Sequence, residues 1–362
     1  METTVPPANL SCDDSSMFRV AFISIGTSLA ALGCVFNGIL LYIFLRKTQR
    51  AYPFQTFLAF LDFMLCALYI HCFGLLSFSV EYEIAFLYNF VMESNVVTMV
   101  MSRIVQLAIP YTLIANSAEK LAMITGWDCE SRYSLKLRIG VIAALLITAS
   151  CLRINGLHTL FIGIDESCDY FHSKYLALKP EIMKEWSIFE NVLTFFHTFV
   201  SFVVLCALNI IVVLKLRVQH RKTRRQSTSP AQLFSTTDAR IHAAQEIRDQ
   251  QHKLRCAVKT TVVIITAYLF CNCTNFVLYV LETFKRSWIE DENKSFRGFY
   301  VMISDIGSNL FVMSSTIRIF IYYKFNAEVK KLIKDIWIVK LIFRLRRRRE
   351  IETLLTVEKT DV

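Results

Sequence analysis

The sequence predicts an all-α membrane protein: a bundle of seven transmembrane helices, N-terminus outside, with a short amphipathic eighth helix after the last span. Three observations predict it. The 362 residues are 54% hydrophobic and 19% charged, with a mean hydropathy of +0.43, against about 45–50% and about 25% in soluble domains. The apolar surplus is gathered into seven stretches long enough to cross a bilayer. Basic residues collect in alternate connections between those stretches. The composition argues against a soluble enzyme, and with 10 glycines and 6 prolines it also argues against a collagen-like or largely disordered chain.

In chain order, residues 1–19 are polar and mildly acidic and form the expected extracellular N-terminus. They lack the basic start of a cleavable signal, so the first span is expected to direct its own insertion. A bilayer core of about 30 Å needs roughly 20 apolar residues as helix, because each backbone donor and acceptor must be satisfied within the segment. The expected spans are 20–45, 54–80, 95–124, 139–157, 191–214, 260–281 and 298–323, which together make the transmembrane domain 20–323. The first, fifth and sixth carry no Asp, Glu, Lys or Arg. The second holds Asp62, the fourth Arg153 and the seventh Asp305 and Arg318. The third is interrupted by Arg103, Glu119 and Lys120, but 104–118 between them is uncharged.

Loop charge sets the orientation, since bases in short loops stay on the cytosolic side. Arg46, Lys47 and Arg50 follow the first span, and residues 215–259, which contain the third cytoplasmic loop 216–255, hold eleven bases against three acids. The cytoplasmic tail 324–362 adds Lys324, Lys330, Lys331, Lys334, Lys340 and a basic run over 344–349. The opposite connections are acidic, with Glu81, Glu83 and Glu93 in one and Asp165, Glu166, Asp169, Glu181, Glu185 and Glu190 in the next. The net charge of +10 is therefore a property of one membrane face. It does not suggest nucleic acid as a partner; contact with anionic membrane lipids is the ordinary reading of each base. In the tail, Phe325, Val329, Leu332, Ile333 and Ile336 recur at helical spacing among lysines, which suits an interfacial helix. Arg217 to Arg225 extends the fifth span as a basic stalk, and 240–255 has the composition to continue the sixth helix inward.

Asn9 and Asn293 head glycosylation sequons on the expected outer side, while the sequon at Asn272 lies inside a span. Of the eleven cysteines, Cys12 and Cys168 are the two clearly outside, where a disulfide between them is allowed. No cysteine or histidine pair has metal-ligand spacing, and no zinc-protease, serine-hydrolase, phosphate-loop or dinucleotide motif is present. Neither catalysis nor a cofactor is expected.

Several short motifs resemble those of the rhodopsin-like G-protein-coupled receptors, and among them the divergent nematode receptors for peptides and chemical cues. Phe36-Asn37-Gly38 resembles the first-span Gly-Asn element, and Leu58-Ala59-Phe60-Leu61-Asp62 matches the second-span pattern. Glu119-Lys120-Leu121 stands where the acidic-Arg-Tyr motif ends the third span, Phe270-Cys271-Asn272-Cys273 is similar to the sixth-span switch, and Tyr322 with Phe325 is similar to the end of the NPxxY element. The departures are equally specific. Lys120 replaces Arg, Leu121 replaces Tyr, Arg318-Ile319 replaces Asn-Pro, and the fourth span lacks its Trp. Asn95 stands where the family carries the cysteine that bonds the second outer loop, so Cys168 lacks the family partner. Retinal is not expected, because the seventh span has no lysine.

The resemblance implies a plasma-membrane, multi-pass receptor for a small-molecule or peptide ligand that signals through a heterotrimeric G protein. Glu119 and Lys120 become the candidate coupling residues. Asn37, Asp62, Arg318 and Tyr322 become a buried polar core. By helical rise, Asp62 and Arg318 lie about 12 Å and about 8 Å from the inner ends of their spans, so they are expected to pair, Arg318 replacing the sodium-binding Asn of the family. Ser102, Arg103, Gln106, Asn272 and Asp305 are the candidate ligand-binding residues. Arg103 and Arg153 both fall in the outer half, and an intramembrane Arg suits a carboxylate. An acidic ligand follows, such as a fatty-acid-derived cue or an acidic peptide terminus. Two alternatives stand beside this reading: Glu93, Glu190 or Asp305 neutralises Arg103 internally, in which case a cationic amidated peptide fits better, and Arg153 faces lipid headgroups. A transporter or channel subunit is the alternative class, against which stand the unequal loops and the lack of an internal repeat.

Overall fold

The computed structural model describes residues 17–47, 53–125, 135–179, 183–227, 238–284 and 294–335. Helix dominates. The long elements are α1 (Met17–Lys47), α2 (Pro53–Tyr69), α3 (Leu76–Glu81), α4 (Ala85–Thr125) and α5 (Leu135–Arg153). After a two-stranded hairpin, β1 (Leu160–Ile164) and β2 (Lys174–Leu178), come α6 (Met183–Thr194), α7 (Ser201–Ser227), α8 (Asp238–Phe284), α9 (Lys294–Thr316), α10 (Arg318–Phe325) and α11 (Ala327–Asp335). Two π-helical turns, Ile70–Leu75 and Phe195–Val200, join α2 to α3 and α6 to α7 without breaking the rod. Each inserts extra backbone per turn and so rotates the side chains beyond it.

Among the described residues, six stretches are long and apolar enough to cross a membrane: Arg19–Arg46, Pro53–Glu81, Ala85–Thr125, Leu135–Thr159, Ile188–Val218 and Leu254–Leu281. The chain is thus an all-α membrane protein apart from its hairpin. The expected seventh stretch is helical but differs in kind. Asp305, Asn309 and the run Ser314-Ser315-Thr316 lower its apolarity, and α9 ends at Thr316 before resuming as α10. Two of its polar side chains reach across to neighbouring helices. Asn309 accepts from Tyr69 Oη at 2.6 Å and donates to the Phe22 carbonyl at 2.9 Å, and Thr316 donates to the Leu29 carbonyl at 3.2 Å.

The helices pack as sequential neighbours: α1 lies against α2 and α9, α4 against α2, α5 and α7, and α8 against α7 and α9. Helix α4 is therefore the central strut, with Ile109 and Leu113 fully buried on it. It starts at Ala85 and not near 95, because Tyr88, Val91 and Met92 are buried against the rest of the fold. Pro110 is accommodated inside it. The helix α7 runs on past the expected span end to Ser227, and α8 starts at Asp238, so most of the third connecting loop is helical extension.

The hairpin is antiparallel, with Leu160 opposite Leu178 and Ile164 opposite Lys174. It is tied to the start of α4: Lys174 Nζ donates to Asn89 Oδ1 at 2.7 Å, Asn89 Nδ2 donates to Tyr170 Oη at 2.8 Å, and Tyr88 packs edge-on against Phe171. In its turn Ser167 donates both its backbone N–H and its hydroxyl to Asp165, which holds that carboxyl below its ordinary range. At the other end of the bundle, Asn326 caps α11 by accepting from the N–H groups of Glu328 and Val329 at 3.1 and 3.2 Å. Val329 and Ile333 are buried while Lys330, Lys331 and Lys334 face outward.

Candidate functional site

Three charged clusters are built into the helices, two of them strung along α4. Toward the hairpin end, Arg103 on α4, Arg153 at the end of α5 and Glu190 on α6 converge. Glu190 Oε1 lies 3.3 Å from Arg103 Nη1, and its Oε2 lies 2.6 Å from Arg153 Nη1. The side chains are 39%, 7% and 20% exposed for Arg103, Arg153 and Glu190. One carboxylate thus holds two guanidiniums, and the cluster keeps one positive charge over. Arg153 Nε is buried without a hydrogen-bond partner among the described residues, and so is Nδ1 of His197, which sits within electrostatic reach of Arg153. His197 belongs to the π-turn that joins α6 to α7, and such turns often re-aim a side chain at functional sites.

Two readings of the sequence are decided by this geometry. Arg153 does not face lipid headgroups: it is buried against Glu190, because the end of α5 turns that side of the helix toward α6. Of the three acids considered for Arg103, Glu190 is the partner, whereas Glu93 is exposed and Asp305 pairs with Arg19 at 3.6 Å. Ser102 and Gln106 are bonded to each other, Gln106 Nε2 donating to Ser102 Oγ at 3.2 Å. Asn272 is turned to its own helix, donating to the Tyr268 carbonyl at 2.9 Å and accepting from Asn275 at 3.3 Å. Asn272 and Asp305 therefore have partners of their own, apart from the Arg103 cluster.

Farther along, Asp62 on α2 and Arg318 on α10 form a direct ion pair with both side chains buried. Ser315 donates to the other carboxylate oxygen of Asp62 at 2.9 Å, and Asn37 donates to the Ser315 carbonyl at 3.3 Å. Tyr322, one turn beyond Arg318, is buried edge-on against Phe44. The four residues named as a polar core are thus gathered where α1, α2 and α10 meet. The break after Thr316 lies directly before Arg318.

At the far end of α4, Glu119 and Lys120 are both buried. Glu119 Oε1 lies 2.8 Å from Arg138 Nε on α5, and its Oε2 lies 3.6 Å from Lys120 Nζ. Beside them Gln55 donates to Asn116 at 3.2 Å, linking α2 to α4. Arg138 is not among the residues expected from the sequence, since it lies just before the expected fourth span 139–157; α5 starts earlier, at Leu135, and so carries Arg138 to Glu119.

Cys168, in the hairpin turn, is disulfide-bonded, while the other eight described cysteines take no part in a disulfide. The expected partner Cys12 lies outside the described residues, as do the sequon asparagines Asn9 and Asn293. A cavity of about 480 Å³ between α8 and the α9–α10 junction is lined by residues such as Phe270, Cys271 and Met313, an apolar set with no chemistry to offer. Among the described residues no group of His, Cys, Asp and Glu is arranged to hold a metal ion. No family model matches the chain, and no curated protein is significantly similar to it.

Proposed function

We propose that the chain is a plasma-membrane receptor of seven transmembrane helices, N-terminus outside, that binds an extracellular chemical cue or neuropeptide and signals through a heterotrimeric G protein. The observation that carries this reading is the placement of two charged clusters on one helix. Arg103 and Glu119 are separated on α4 by a helical rise of about 24 Å; Arg103 is tied to α6 through Glu190, which also holds Arg153 of α5, and Glu119 is tied directly to α5 through Arg138. A ligand that repacks the Arg103 end moves the same rigid element that carries Glu119 and Lys120. Basic residues gather at the Glu119 end, where Lys120 supplies a positive charge to a docking cleft once it is uncovered. Lys lacks the planar fork of Arg, so coupling weaker than the family norm follows.

The Asp62–Arg318 pair fits the same scheme as the hinge layer. It lies beside the break between α9 and α10, where a change in α8 packing is felt by α2. The resemblance to rhodopsin-like receptors supports the reading through its second-span pattern, and the charge asymmetry of the loops supports the orientation. The test is a G-protein dissociation assay in cells expressing the chain, run on extracellular extracts and on acidic and amidated ligand panels. Ligand-driven dissociation that is lost in Lys120→Ala supports the proposal. A ligand-gated current that persists under G-protein blockade, with no dissociation, contradicts it.

A further inference from the structure

Arg103 and Arg153 share one carboxylate, and no second acid among the described residues pairs with either of them. The Arg103 contact is single and long at 3.3 Å, and that side chain is 39% exposed. Its guanidinium therefore offers an open edge. Arg153, more than nine-tenths buried as a residue, presents an Nε with no partner, and His197 presents an equally unpartnered Nδ1. Two guanidiniums with unmatched donors and one surplus charge, set inside a membrane-spanning bundle, favour an anion.

We propose that this cluster is a carboxylate-binding site in which Glu190 occupies the Arg103 arm in the ligand-free chain, and that its ligand is a small carboxylate-bearing molecule. A carboxylate matches the planar fork of Arg, which can bond it through two parallel N–H donors. A ligand carboxylate takes Arg103 first, since that contact is the weaker and the exposed one, and leaves Arg153 with Glu190. The assignment of this ligand as the signal rests on the receptor reading; the anion site itself does not. Because Glu190 is tethered, its effective concentration is high, so a simple free anion competes poorly with it in the wild type.

Glu190→Ala removes a CH₂–COO⁻ fragment, which is the size of acetate. The full chain in nanodiscs of uncharged phosphatidylcholine is heated with sodium acetate, or with acetamide brought to the same ionic strength with sodium chloride. The variant is expected to melt below the wild type, and acetate is expected to raise its Tm by about 2 °C or more. Acetamide leaves it unchanged, the wild type responds less, and adding Arg103→Gln with Arg153→Gln removes the acetate effect. If Glu190→Ala does not fold, Glu190→Gln, which removes the charge but still fills the vacated space, is expected to show the same preference for acetate at the open edge of Arg103, with a smaller rise in Tm. Equal effects of acetate and acetamide on the folded variant overturn the site. Acetate rescue in a chain that never activates a G protein retains the site and overturns the receptor reading, and ligand-driven activation without acetate rescue does the reverse.

Discussion

Arg318 and Asp62 form an ion pair that is buried on both sides, 256 residues apart in sequence. It joins the start of α10 to the middle of α2. Removing one partner of such a pair leaves an uncompensated buried charge, at a cost of about 3–5 kcal/mol. Asp62→Asn and Arg318→Gln are each expected to lower the Tm of the purified chain and its surface expression. The double variant is expected to recover much of the loss, because neither charge then remains. Additive losses in the double-variant cycle would separate the two residues.

The Glu119 carboxylate holds Arg138 and Lys120 together at the far end of α4. Arg138→Gln frees that end of α4 from α5 and is expected to raise basal G-protein activation by about fivefold, the lower end of ordinary coupling free energies. Lys120→Ala is expected to lower ligand-driven activation with little change in surface expression. Unchanged basal activity in Arg138→Gln would assign that pair to packing alone.

Topology is tested by glycans. In a eukaryotic host Asn9, Asn293 or both are expected to be glycosylated, as read by a mobility shift on enzymatic deglycosylation. Asn272 lies in α8 and is 9% exposed, so it is expected to stay bare. A glycan on a sequon engineered near residue 229 would reverse the orientation.

The hairpin turn is held by the disulfide of Cys168 and by Lys174 on Asn89. Non-reducing peptide mapping is expected to recover Cys12 joined to Cys168. Loss of a native disulfide typically costs about 2–5 kcal/mol, so Cys168→Ser is expected to lower the Tm. A Cys168 peptide recovered with any other cysteine would reject that pairing.

The long helices were legible because a bilayer demands apolar length, and hydropathy reports length directly. Asp62 and Arg318 were legible as partners for a similar reason: counting helical rise placed them in one layer, and a buried charge needs a partner. The side of a helix that a residue faces is harder to read. For Arg153 the sequence leaves lipid headgroups open as an alternative, and only the packing of α5 near α6 turns it to Glu190. The hairpin was hidden because Leu160 to Ile164 reads as a continuation of the fourth apolar stretch. His197 had no motif at all; the π-turn that aims it leaves no pattern in sequence. The low apolarity of α9 was visible in its serines and asparagine, yet their pairing with α1 and α2 is a matter of packing.

The most direct test of the central claim is G-protein dissociation measured in cells that express the chain, with and without ligand, in the wild type and in Lys120→Ala. The account predicts a ligand-dependent signal in the wild type that is lost on removing Lys120. A ligand-evoked current that survives G-protein blockade, with no dissociation in either form, would contradict it.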